Sequence, residues 1–165
     1  MHQLDWPRWR SGPLLLLAIV VALGQVSDAR GDTPLTLTVV NGEERYTLSL
    51  REIESLGLHE VTMRHPEGPQ GTFAGVWLDT LLKSQGLDEA RRVRFTAEDG
   101  YTTFLSPGQR RDKTYLLVTR LDGEPLKPED LGPLMLIVPE DAEAALDGTV
   151  SITRWIWGIG EIQVK

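Results

Sequence analysis

The residues able to do chemistry in this chain are few, and their spacing is uninformative. His59 and His65 are the histidines that lie beyond the N-terminal segment, and neither sits in a metal-ligand or catalytic-triad spacing. His59 falls on a predicted strand and reads as structural or solvent-facing. His65 opens a Gly/Pro loop beside Arg64, a better place for a working side chain because loops carry function. Paired carboxylates such as Glu43-Glu44, Glu98-Asp99, Glu129-Asp130 and Glu140-Asp141 each lie at a predicted turn. Solvated turn residues explain them better than general acid–base pairs do. The chain has no cysteine, which excludes thiol nucleophiles, thiol redox chemistry, disulfides and thiolate metal sites. Gly158 and Gly160 flank Ile159 with no helix after them, so no nucleotide fingerprint is present. Arg110-Arg111, after Pro107-Gly108, form a basic pair that could meet an anionic ligand group, although a solvated loop is the plainer reading. Trp155 and Trp157 are placed on a strand, pointing to one face, with Arg154 and Ile156 on the other. They read first as packing over a sheet and second as the aromatic wall of a pocket or partner surface.

The elements that must position these residues are mostly short strands. Leu35 to Val39 alternates and is β-branched; Asn41-Gly42 turns it back through Tyr46-Thr47-Leu48. Ser49 and Glu52 form a capping box for a short helix ending near Gly57. Residues 58–64 alternate again, and residues 65–71 are a loop rich in Pro and Gly. After Gly75 a helix is predicted with Leu78, Leu81 and Leu82 on one face and Gly86 at its end. Further strands are predicted over 93–97, 101–105, 114–119, 134–138, 150–157 and 162–164, with turns at Asp99-Gly100 and Asp122-Gly123. Strands and helices do not alternate regularly, which argues against a parallel βαβ sheet. The fold class expected is α+β, with a mixed, mostly antiparallel sheet and two or three short helices.

The N-terminus carries its own message. Arg8 and Arg10 precede an apolar run from Leu14 to Leu23, followed by Ser27-Asp28-Ala29. Positive, apolar and small-residue regions in that order are the pattern of a secretory signal. Residues 1–29 are therefore expected to be a cleavable signal peptide and residues 30–165 a single domain, periplasmic or secreted. Contact with a membrane is expected only through the signal segment before cleavage. The net charge is −7, and removing residues 1–29 takes two acids and two bases and leaves it unchanged. An acidic domain of this kind is no candidate for nucleic acid, which needs clustered Lys and Arg.

From Thr72 onward the order of the pieces resembles the molybdopterin-binding domain of the sulfite oxidase family. The matching stretches are Phe73-Ala74-Gly75-Val76-Trp77-Leu78 leading to Leu81-Leu82, then Glu98-Asp99-Gly100-Tyr101, Leu116-Leu117 and Asp122-Gly123-Glu124-Pro125-Leu126. Gly132-Pro133 with Leu136-Ile137-Val138-Pro139, and Arg154-Trp155-Ile156, complete the series over roughly ninety residues. The resemblance implies an oxidoreductase fold and makes molybdopterin a possible cofactor. It also exposes departures. The family ligates molybdenum with a cysteine thiolate, and no soft donor replaces it here. Met135 stands where the family usually carries arginine, and Arg154 where it carries lysine. Proteins loaded with such cofactors leave the cytoplasm by the twin-arginine route, whereas Trp9 separates Arg8 from Arg10.

Together these features lead us to expect an exported, non-catalytic binding or sensing module without bound cofactor or metal. Its partners would be a small-molecule ligand or a membrane sensor or other envelope protein. The resemblance places the binding site near Arg64, His65, Asp99, Tyr101 and Arg154, with Trp155 and Arg110 as further candidates. The alternative is a molybdopterin-dependent oxidoreductase that holds its cofactor without a cysteine ligand.

Overall fold

A computed structural model of the chain describes residues 35–165. The expected signal peptide, residues 1–29, lies outside the described residues. The first hairpin follows from Gly42, whose φ of 62° suits glycine, and joins β1 (Thr36–Asn41) to β2 (Glu44–Ser49). The capping box then starts α1 (Leu50–Glu54): the Ser49 N–H donates to Glu52 Oε2 at 2.7 Å, and the Glu52 N–H donates to Ser49 Oγ at 3.3 Å. A second hairpin pairs β3 (His59–Arg64) with β4 (Gln70–Trp77). The sequence pattern had suggested loop up to Gly71 and helix soon after Gly75. Instead the chain stays extended through Trp77, because β4 is sandwiched between β3 and a later strand. The expected helix follows as α2 (Leu78–Ser84), burying Leu78, Leu81 and Leu82.

Next come β5 (Val93–Ala97), β6 (Thr102–Leu105), α3 (Pro107–Asp112), β7 (Leu116–Leu121) and β8 (Glu124–Pro125). The last elements are β9 (Met135–Ile137), α4 (Ala142–Leu146), β10 (Ile156–Trp157) and β11 (Ile159–Val164). Helix α3 lies where the sequence suggests a loop, and α4 forms in a polar stretch for which no element is predicted. Helix α3 has a capping box of its own, with Gln109 N–H donating to Ser106 Oγ and Ser106 N–H donating to Gln109 Oε1. The predicted strand over 150–157 is also corrected: only Ile156 and Trp157 pair. Residues before them turn, with the Trp155 N–H donating to the Ile152 carbonyl at 2.8 Å.

Two sheets result. One has the order β2-β1-β11-β5-β6, in which β1 and β11 run parallel and every other pairing is antiparallel. The other has the order β10-β9-β7-β4-β3, with β8 added to β7, and is antiparallel throughout. The expected α+β class, mostly antiparallel with a few short helices, is what the chain adopts. Alternating positions of β1, β5 and β11 (Leu37, Val39, Val93, Phe95, Ile162, Val164) join the buried Leu116, Leu117 and Val118 of β7 and the fully buried β9 in one continuous apolar core. That continuity allows a domain without disulfides to stand on packing. Strand β11 brings the C-terminus between β1 and β5. It thereby fixes the β5–β6 turn beside the chain around β10.

A candidate aromatic cavity

Between the β5–β6 turn and residues 151–157 lies a cavity of about 380 Å³. Its size falls in the range of small-molecule sites. Three aromatic side chains, Tyr101, Trp155 and Trp157, line it together with Asp99, Thr153 and Ile156. The turn is held at both ends. The Glu98 N–H donates to the Gly158 carbonyl at 2.8 Å, and the Ala97 N–H donates to the Tyr101 carbonyl at 2.9 Å. Asp99 Oδ1 accepts from the Tyr101 N–H at 2.9 Å, an Asx turn that aims Tyr101 across the opening. There the Tyr101 hydroxyl and Thr103 Oγ1 both donate to the Thr153 carbonyl, each at 3.4 Å. Tyr101 remains half exposed, whereas Trp155 is buried.

His65 lies against the same two indoles. Its ring centroid is 5.5 Å from that of Trp155 and 5.6 Å from that of Trp157, the latter edge-on at 89°. The ring is fully buried. Its Nδ1 accepts from the Glu67 N–H at 3.1 Å, which places the ring proton on Nε2. That Nε2 has no hydrogen-bond partner among the described residues. Burial without a counter-charge lowers the His65 pKa to about 4, so the imidazole is neutral at neutral pH. His65 thus packs against both tryptophans as a neutral ring whose Nδ1 lone pair is already engaged.

The structure brings together Asp99, Tyr101 and Trp155, with His65 against the tryptophan wall. It does not bring in the arginines. Arg64 is exposed at the end of β3, and Arg154 is exposed outside the lining. Arg110 is nearly buried elsewhere: its Nη2 donates to the carbonyls of Asp88 and Ala90 at 3.0 and 2.9 Å, and its Nη1 reaches Asp79 Oδ1 at 3.4 Å. It ties α3 to the loop before β5, which is a structural use of the guanidinium. Sequence reasoning noted Trp157 as a possible wall but did not select it as a site residue. It missed Thr153 and Ile156. No sequence signal marks the Thr153 carbonyl, since only the fold turns it toward Tyr101.

The donor set does not fit a molybdenum pterin. The cavity lining holds no Lys, Arg or His to meet a phosphate, and its one ionisable acid, Asp99, would repel it. The chain offers no thiolate, and no group of three His, Cys, Asp or Glu among the described residues could hold a metal ion.

One mixed sheet, one antiparallel sheet and short helices define the domain class carried by sulfite oxidase-type enzymes. The family described as the oxidoreductase molybdopterin binding domain matches residues 32–159, and the chain belongs to that family. The sulfane dehydrogenase SoxCD from Paracoccus pantotrophus has the same fold, with a TM-score of 0.55 at 16% sequence identity. The match covers 78% of this chain and 37% of that one, so this chain spans well under half of the larger protein. No curated protein matches the chain.

Proposed function

We propose that this chain is a non-catalytic binding module on the molybdopterin-binding fold, acting outside the cytoplasmic membrane and taking a small ligand in the aromatic cavity. The observation that carries the reading is the lining itself: two tryptophans and a tyrosine, no cationic side chain, and no thiolate in the chain. Such a wall buries a ligand's apolar surface, while Asp99 is the single carboxylate and no second acid or base completes a pair. The occupied module would then engage a membrane sensor or another envelope protein.

The second reading is an oxidoreductase that holds molybdopterin through the dithiolene alone. Family membership favours it. One experiment separates the two. The chain is purified from the envelope fraction of its source cells, and its N-terminus and metal content are measured. We expect a mature N-terminus at Arg30 and sub-stoichiometric molybdenum. One molybdenum per chain would overturn the non-catalytic reading, and an intact Met1 in the cytosolic fraction would overturn the export.

A further inference from the structure

Resting on the reading of the cavity as a ligand site, we propose that its ligand is a small organic cation, an ammonium carried on an apolar or aromatic body. Three observations converge on that chemistry. First, the walls are aromatic. Trp155, Trp157 and Tyr101 all line the cavity, and indole attracts a cation more strongly than any other side-chain ring.

Second, the cavity carries acceptors with capacity to spare. Asp99 is its one charged side chain. Oδ1 of Asp99 is engaged by the Tyr101 N–H, while Oδ2 takes no hydrogen bond from any described residue. The Thr153 carbonyl receives only two long hydroxyl contacts, both at 3.4 Å, so it can accept from an ammonium as well.

Third, nothing positive competes. No Lys, Arg or His lines the cavity. The histidine packed against the two indoles is buried with no acid beside it, so it stays uncharged and adds no repulsion toward a cation. The chain's net charge of −7 adds a field that draws cations and repels anions.

The test uses three probes of one size and three charges: benzylammonium, benzyl alcohol and benzoate. Each is titrated into the purified chain, with tryptophan fluorescence and calorimetry as readouts. Benzylammonium is expected to bind about ten-fold more tightly than benzyl alcohol, as cation–π attraction and a carboxylate together allow, with benzoate weakest. Asp99→Asn keeps an oxygen for the Tyr101 N–H and so preserves the turn. It is expected to weaken benzylammonium about three-fold, the scale of an exposed ion pair, and to leave benzyl alcohol unchanged. Trp157→Leu, with folding checked by circular dichroism, is expected to weaken benzylammonium about five-fold. If benzyl alcohol or benzoate binds as tightly as benzylammonium, the cation is wrong while the ligand cavity stands. If none of the three binds, both the cation and the cavity as a small-molecule site fall.

Discussion

His65 makes the stability of this domain depend on pH in a way that can be worked out in advance. Its folded-state pKa is lowered from 6.5 to about 4 because the ring is buried between two indoles with no acid to stabilise the charged form. Unfolding exposes the ring to water and restores the ordinary value. The neutral ring therefore contributes stability that is fully present above the unfolded pKa and is lost as pH falls from 6.5 toward 4. Each pKa unit is worth about 1.4 kcal/mol, so the loss is about 2 kcal/mol by pH 5 and about 3 kcal/mol by pH 4. That is a large part of the ~5–15 kcal/mol that holds a domain folded. Other carboxyls titrate over the same range, so the measurement is a difference. His65→Asn leaves an acceptor for the Glu67 N–H but removes the titration. At pH 7 the variant is expected to be about 2–3 kcal/mol less stable, from lost ring packing. Urea unfolding followed by tryptophan fluorescence at pH 7 and pH 5 gives the gap between the two proteins, which is expected to shrink by about 2 kcal/mol. A gap that stays constant between those pH values would refute the reasoning, because His65 would then be taking up its proton in the folded state.

Two other substitutions probe the frame. Gly75 lies where β4 crosses closest to β7, and a Cβ there would overlap the Leu117 carbonyl; Gly75→Ala is expected to cost at least ~3 kcal/mol in urea unfolding, and a cost under ~0.5 kcal/mol would contradict the close approach. Glu54 links α1 to β7: Arg120 Nε donates to its Oε1 at 2.7 Å, Arg120 Nη2 to its Oε2 at 2.9 Å, and Thr119 Oγ1 to its Oε1 at 2.9 Å. Glu54→Ala is expected to cost about 2 kcal/mol, with a coupling of about 1 kcal/mol to Arg120→Ala in a double-mutant cycle; a coupling indistinguishable from zero would make the pair an ordinary surface contact.

Local signals in the sequence were read correctly where the physics is local. The Ser49–Glu52 box and the leucine face of α2 need only neighbours in the chain, and both are present; the first hairpin is also present, but its turn is Gly42-Glu43, one residue later than expected, because Asn41 pairs with Glu44. The capping box of Ser106 and Gln109 was just as local and was passed over in favour of the Pro107-Gly108 loop signal, so α3 was missed. The extension of β4 through Trp77 was not legible, because pairing with β3 and β7 on either side overrides the local pattern. Residues 150–155 alternate like a strand but find no partner, so they turn and close the cavity instead.

By itself the sequence determined the composition of the site: no cysteine, a net charge of −7, and a tryptophan pair near the C-terminus. Those facts limit the chemistry whatever the fold does, since a thiolate that is not encoded cannot be assembled. It also carried the order of motifs that placed the chain in its family. Only the tertiary structure decided which residues meet. His65 lies ninety residues from Trp155, and Asp99 more than fifty from Trp157, and nothing local sets those distances. Strand β11, inserted between β1 and β5, brings the β5–β6 turn against the tryptophans, while Arg110 is bound to backbone carbonyls elsewhere. The physical reason is that long-range pairing and burial are shared properties of distant segments, and they alone turned scattered aromatics into a cavity.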